Sequence, residues 1–189
     1  MSVEDLEGAR IPDVVLLEGV ERRRVALPDM LASRTVIFFY PATGVPGRDP
    51  AVDPAPGWDD IPGAAGCTAQ NRRFRDTIDA FSRRDARVIG ISTQPPEEQA
   101  EFAERERIPY RLFSDADLAL VRALDLPTFD AGGRTFLRRM ALFVEHGVIR
   151  RVFYPVAIAD ANADSVLAWL AENTAPSSNS GGTSSTQAR

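Results

Sequence analysis

Short apolar runs alternate with amphipathic segments along most of the chain. The runs RTVIFFYP (34–41) and ARVIGIS (86–92) are rich in β-branched and aromatic residues, and each is long enough for one buried strand. Between them, residues 67–85 carry apolar side chains at helical spacing, which predicts a helix. A strand, a helix and a second strand in this order predict two parallel strands joined by a right-handed crossover.

The second half of the chain continues the alternation. Residues 97–107 predict a helix, and residues 114–124 predict another that begins with a Ser-Asp cap. The stretch 138–156 predicts two strands joined by a tight turn at His146-Gly147, and residues 160–172 predict a closing helix. This order indicates an α/β protein with a thioredoxin-like fold, in which a central mixed sheet is flanked by helices. Flavodoxin-like folds alternate in a similar way.

Two segments lack a regular pattern. Residues 42–66 are rich in Pro and Gly, which predicts an irregular segment directly before the first helix. The part 44–62 is a long insert that we expect to be a lid, part of a dimer surface or a passive loop; Trp58 is expected to be buried and to anchor it. The Ser/Thr/Gly-rich residues 175–189 predict a disordered tail, which leaves residues 1–174 as one domain.

Composition and charge narrow the function. The chain has 189 residues, 44% of them hydrophobic, which suits one compact domain with a core. Its net charge of −5 argues against a general nucleic-acid binder. The N-terminal stretch lacks the apolar core of a signal peptide, and no window approaches the roughly 20 apolar residues of a membrane span. A single cysteine cannot form an internal disulfide, so a cytoplasmic location is expected.

The single cysteine, Cys67, follows a Pro/Gly/Ala turn and begins the predicted helix. A helix N-terminus favours the nucleophilic thiolate, although a buried structural cysteine fits the local sequence equally well. A CxxC motif is missing, a zinc site lacks ligands, and a Cys-His hydrolase would need the turn residue His146 nearby. What remains is a lone thiolate with arginines, which suits peroxide reduction through a sulfenic acid.

Several segments resemble, in order, the peroxiredoxins of the alkyl hydroperoxide reductase/thiol-specific antioxidant family, nearest the bacterioferritin-comigratory type: FFYP (38–41), GCT (66–68), FRD (74–76), VIGIST (88–93), LFSDADLALVRALDL (112–126) and RMALFVEHGVI (139–149). The resemblance covers roughly residues 10–172. It implies a thioredoxin fold and cysteine-dependent reduction of hydrogen peroxide or organic hydroperoxides.

The resemblance also implies roles for individual residues. It places the peroxidatic cysteine on Cys67 and the strand-end proline on Pro41. It places the arginine that binds peroxide and thiolate on Arg139, with Arg138 one position away. The backbone N–H groups of Cys67 and Gly66 are expected to hold the peroxide oxygens.

The chain departs from the family, whose usual motif is P-x-x-x-T-x-x-C, in three ways. A long insert separates the proline from the cysteine. Ala64 stands where the threonine is expected, so that Thr43 is either its replacement or an ordinary loop residue. Arg72 stands where many relatives carry a resolving cysteine, so an outside thiol such as thioredoxin, glutaredoxin, glutathione or mycothiol is the expected reductant.

No cofactor or metal is expected, and the family resemblance suggests a homodimer. Two alternatives to the peroxidase stay open at this point, because a fold does not determine a function. One is a biosynthetic enzyme with a larger substrate beneath the insert. The other is a redox sensor in which oxidation of Cys67 is the signal.

Overall fold

The computed structural model describes residues 3–31, 33–49, 51 and 53–173. The strands within this part of the chain are β1 (Val15–Glu18), β2 (Arg24–Ala26), β3 (Arg34–Phe39), β4 (Ala86–Ser92), β5 (Arg111–Ser114), β6 (Thr128–Ala131), β7 (Arg134–Leu137), β8 (Met140–Glu145) and β9 (Val148–Phe153). The α-helices are α1 (Cys67–Asp76), α2 (Ile78–Ser82), α3 (Pro96–Glu106), α4 (Ala119–Leu124) and α5 (Asn162–Asn173). The predicted tail, 175–189, lies outside the described residues.

A seven-stranded sheet forms the centre of the molecule, in the order β2-β1-β5-β4-β3-β8-β9. Strands β3, β4 and β5 are parallel, as the sequence predicted for β3 and β4. Strand β8 runs antiparallel to β3 and pairs with β9 in the predicted hairpin. Strand β1 runs antiparallel to β5 and β2. The mixed sheet with helices around it confirms the predicted architecture.

Strand β3 is buried on both faces, which explains its unbroken apolar sequence. On one face, Phe38 stacks on Phe74 of α1 with ring centroids 4.2 Å apart, within a cluster that also includes Cys67. Gly90 of the neighbouring strand makes room for this ring, because a Cβ there would lie 2.8 Å from Phe38. The packing of Phe38 therefore holds α1, and with it Cys67, against the end of the sheet.

Two predicted helices have different bounds in the structure. The helix predicted over 67–85 is interrupted at Thr77, whose hydroxyl donates to the carbonyl of Arg73 at 2.7 Å. The helix predicted to begin at 114 begins at 119, because Ser114 ends strand β5. The N-cap position is Leu118, and the carboxylate of Asp115 accepts the N–H groups of Leu120 and Val121 at 3.0 and 2.9 Å. Strands β1, β5, β6 and β7 were not predicted.

The described residues of the insert, 44–49, 51 and 53–62, are irregular apart from a short 3₁₀ turn, Trp58–Asp60. The indole of Trp58 is 9% exposed and packs edge-on against Phe136, with ring centroids 4.9 Å apart. Phe136 belongs to the separate two-stranded sheet formed by β6 and β7. The prediction that Trp58 is buried and anchors the insert is therefore confirmed, and its docking platform is the unpredicted β6–β7 hairpin.

Candidate active site

Cys67 is the first residue of α1 and its side chain is 3% exposed. The chain enters the helix through Gly66, which has a φ of +93°. A Cβ at this position would also lie 2.8 Å from the Cβ of Ala159, so glycine is required both by the backbone conformation and by the close approach of a second segment. This turn places the sulfur between the helix start and the sheet.

Several groups contact the sulfur, among them the backbone N–H of Cys67 itself. The thiol of Cys67 donates to the carbonyl oxygen of Ala64 at 3.3 Å, and Nη2 of Arg139 donates to Sγ at 3.4 Å. The backbone of Ala42 forms a hydrogen bond that stabilises the thiolate. Burial raises the pKa of the Cys67 thiol, and the charge of Arg139 opposes this effect together with the hydrogen bonds.

Arg139 lies between β7 and β8 and is 4% exposed. Its Nη2 also donates to the carbonyls of Gly63 and Ala64 at 3.3 Å and of Ala65 at 2.7 Å. One guanidinium thus holds the turn before the cysteine and touches the sulfur. Arg138, the alternative position, lies over the ring of Phe129 at 5.5 Å instead. The structure therefore brings Arg139, not Arg138, to Cys67.

Two buried amides that were not expected from the sequence complete the surroundings of Arg139. Nη1 of Arg139 donates to Oε1 of Gln70, one helical turn after Cys67. Nε2 of Gln70 donates to Oδ1 of Asn162 at 2.8 Å. The available signal was a polar residue three positions after the cysteine, which places it on the buried face of the helix.

The other predicted residues lie in the segment after β3. Pro41 is buried and directly precedes Ala42. The hydroxyl and the N–H of Thr43 both donate to Oε1 of Gln94, at 3.2 and 2.8 Å, and Nε2 of Gln94 donates back to the carbonyl of Thr43 at 2.9 Å. The role of Thr43 as a replacement for the motif threonine stays a prediction. Gln94, which follows strand β4, was also missed.

His146 lies in the β8–β9 turn, with a φ of +51°. Strand β8 separates it from Arg139, and a strand of this length spans about 20 Å. The Cys-His pair that a hydrolase would need is therefore not formed.

A cavity of about 320 Å³ borders the turn before Cys67. Its lining includes Gly63, Arg138, Arg139, Phe129 and Tyr154. The cavity is thus lined by the same arginine that contacts the sulfur. None of the helices in the described part of the chain has the length and apolar character that crossing a bilayer requires.

The fold and the site together define a thioredoxin-like α/β protein with one buried cysteine beside a buried arginine. Comparison with known proteins agrees with this class, since the sequence profile described as Redoxin matches residues 6–167. The chain belongs to the redoxin family.

Individual relatives carry peroxiredoxin names. The chain is 26% identical over 160 residues to "Peroxiredoxin Q, chloroplastic" of Gentiana triflora, covering 85% of this chain and 64% of that protein. It is 28% identical over 161 residues to "Peroxiredoxin Bcp" of Escherichia coli (strain K12), covering 83% of this chain and 90% of that protein. The chain thus spans less than two-thirds of the chloroplastic relative.

A solved structure of similar shape is the peroxidoxin BcpB from Mycobacterium tuberculosis. It has a TM-score of 0.70 and 27% identity, and the match covers 89% of this chain and 98% of that one. Peroxiredoxin Q of Xanthomonas campestris has a TM-score of 0.66 at 23% identity, which supports the fold; this match covers 89% of this chain and 95% of that one. The resemblance to peroxiredoxins and the thioredoxin-like fold expected from the sequence are confirmed.

Proposed function

We propose that this protein is a thiol-dependent peroxidase that reduces hydrogen peroxide or an organic hydroperoxide at Cys67. The observation that carries the proposal is the contact of 3.4 Å between Nη2 of Arg139 and the buried sulfur at the start of α1. Membership of the redoxin family and the peroxiredoxin names of the relatives support it.

The reaction begins when the Cys67 thiol loses its proton. Burial raises the pKa of this thiol, and the guanidinium charge and the hydrogen bond from Ala42 oppose that rise by favouring the thiolate. The sulfur then attacks one peroxide oxygen, the O–O bond breaks, and Cys67 becomes a sulfenic acid. The second oxygen leaves as water or an alcohol after it takes up a proton.

In this mechanism Arg139 stabilises the negative charge that develops on the leaving oxygen. Its Nη2 atom, now shared between three carbonyls and the sulfur, is the donor that a peroxide entering from the cavity would engage. The backbone N–H groups of Gly66 and Cys67 are assigned to the peroxide oxygens. Pro41 shields the sulfur, and Thr43 orients the substrate.

The sulfenic acid is reduced by an outside thiol, because Cys67 is the only cysteine of the chain. The position of a resolving cysteine, five residues further on, is occupied by Arg72, which forms a two-pronged ion pair with Glu106 at 2.7 and 2.9 Å. A first thiol forms a mixed disulfide with Cys67 and releases water, and a second thiol releases Cys67. Thioredoxin, glutaredoxin, glutathione and mycothiol are the candidates.

A cytoplasmic location and a homodimer complete the proposal. A reducing compartment maintains both the free thiol and the reductant that the cycle needs. The two expectations are checked by localisation of a tagged chain and by light scattering of the purified protein.

In the test, the reduced protein is mixed with one equivalent of peroxide in the presence of dimedone, and the mass of the product is measured by mass spectrometry. The proposal requires a dimedone adduct on Cys67 that forms much faster than on free cysteine and is missing in Cys67→Ser. Oxidation no faster than that of free cysteine would refute it. Oxidation that none of the four thiols reverses would favour the sensor instead.

A further inference from the structure

We propose that Asn162 is a positioning residue for the site: its side-chain oxygen fixes the orientation of the Gln70 amide, and this amide in turn holds the Arg139 guanidinium at the sulfur. The inference rests on the proposed function, in which Arg139 serves the Cys67 thiolate. Asn162 begins helix α5, far along the chain from Cys67.

The hydrogen bonds of Gln70 define one orientation of its amide. Gln70 is fully buried, its Oε1 accepts from Nη1 of Arg139, and its Nε2 donates to Oδ1 of Asn162 at 2.8 Å and to the carbonyl of Phe39 at 3.4 Å. A flipped amide would place its NH₂ group against the guanidinium and its oxygen against two acceptors. Such unsatisfied contacts are costly in a buried site.

Asn162 accepts the shorter of the two hydrogen bonds that Nε2 of Gln70 donates. The residue is 2% exposed, and its Nδ2 has no hydrogen-bond partner among the described residues. An unpaired buried donor is itself destabilising. The unpaired NH₂ group of Asn162 contributes no stabilisation. The hydrogen bond between its oxygen and Gln70 is therefore the interaction that explains an asparagine at this position.

Leucine at position 162 would remove the acceptor while keeping a side chain of similar volume. The Gln70 amide would then keep only its long contact to the carbonyl of Phe39 on the Nε2 side, so its Oε1 would be held less firmly against Nη1 of Arg139. The guanidinium would keep its contacts to the turn before Cys67 but would be fixed less firmly at Sγ, which lies 3.4 Å from Nη2. The thiolate would be less stable as a result, so its formation would need a higher pH.

The pH dependence of Cys67 alkylation measures this effect directly. The charged and titratable groups that face the sulfur are Arg139, from the β7–β8 connection, and Tyr40, at the end of β3. Burial raises the pKa of Tyr40, so this phenol stays neutral while the thiol titrates. The midpoint of the alkylation rate, measured over about pH 7–11 because the pKa of Cys67 is raised, therefore reports the thiolate of Cys67.

The experiment compares iodoacetamide alkylation of the full chain with that of four variants: Asn162→Leu, Gln70→Glu, the double variant, and Asn173→Leu. Asn162→Leu should raise the midpoint by about one pH unit, the loss expected for one hydrogen bond that supports a charge. In Gln70→Glu the side chain can still accept from Arg139 but has no N–H to donate to Oδ1 of Asn162, so the contact under test is already absent. The double variant should therefore have the same midpoint as Gln70→Glu alone.

Asn173→Leu is the matched control, because Asn173 lies on the same helix and its Nδ2 donates to the carbonyl of Trp169 at an exposed end. It should leave the midpoint unchanged. An unchanged midpoint in Asn162→Leu, or the same shift with and without Gln70→Glu, would overturn the inference. If Asn162→Leu does not fold, Asn162→Ala is measured in the same two backgrounds. Alkylation involves no peroxide, so failure of the peroxidase proposal would appear in the dimedone test and not in this experiment.

Discussion

Replacement of Arg139 by Lys tests the central contact of the site. The guanidinium reaches Gln70 with one nitrogen and the sulfur with the other, whereas a lysine has a single nitrogen and cannot hold both. The positive charge is kept, so the change isolates the geometry of the donors. We expect the folded variant to bind peroxide with a misplaced cation.

The expected loss of oxidation rate follows from the hydrogen bonds that lysine cannot form. A hydrogen bond to a charged group contributes about 1.5–3 kcal/mol. In the transition state, Nη2 donates a hydrogen bond to the sulfur or to the peroxide. If this hydrogen bond is lost, the oxidation rate should fall by about 10- to 100-fold. The turn formed by Gly63, Ala64 and Ala65 also loses donors, which should lower the free energy of unfolding by about 1 kcal/mol or more.

A single-turnover assay measures the rate. Protein is mixed with excess hydrogen peroxide, quenched with dimedone at intervals, and the Cys67 peptide is quantified by mass spectrometry. Arg138→Lys is the matched control, because Arg138 borders the same cavity but lies over Phe129. An Arg139→Lys variant that oxidises at the wild-type rate would refute this reasoning, as would equal slowing in Arg138→Lys.

Three further predictions concern the surroundings of the site. Trp58→Ala should lower the free energy of unfolding in urea by about 3–4 kcal/mol and expose Cys67 to faster alkylation; unchanged stability would contradict an anchoring role. Gln94→Leu removes the clamp on Thr43 and should cost about 2 kcal/mol and slow peroxide oxidation, whereas a wild-type rate would show that the clamp is not needed. Arg72 lowers the pKa of Glu106 below its ordinary value of 4.5. The stabilisation from Glu106 is therefore present above about pH 4.5 and is lost as pH falls through the folded pKa. Glu106→Gln should be destabilising at neutral pH and less so in acid. A difference in unfolding free energy between variant and wild type that does not vary with pH would contradict this.

The main elements could be predicted because their apolar patterns are strong. Strands β3 and β4 are largely buried on both faces, and a short continuous run of β-branched and aromatic residues is typical of such strands. Strands β6 and β7 were missed because their residues alternate weakly and lie mostly near the surface. The break at Thr77 was missed because the apolar spacing continues across it. A local hydrogen bond of the Thr77 hydroxyl to a backbone carbonyl accompanies the break, and periodicity does not report such a contact.

The candidate site could be predicted only in part. Cys67 and Arg139 were named from the sequence, and the structure places them in contact. Gln70, Gln94 and Asn162 act through hydrogen bonds between positions far apart in the sequence, and the pairing of two amides leaves no local pattern. Gln70 and Asn71 both lie on the buried face of α1 with Cys67, and polar residues three and four positions after the cysteine are the kind of signal that could have identified Gln70.

Ala64 shows how the site is built without the motif threonine. Its methyl group is fully buried in the cluster around Trp58 and Phe136, so a hydroxyl at this position would face apolar side chains. Its carbonyl meanwhile accepts both the thiol proton of Cys67 and an N–H of Arg139. Trp58 comes from the insert, so the insert packs against the side chain of Ala64 while the carbonyl of the same residue contacts the sulfur. The long insert and the missing hydroxyl are therefore two parts of one packing arrangement, in which a backbone oxygen provides the polar contact near the cysteine.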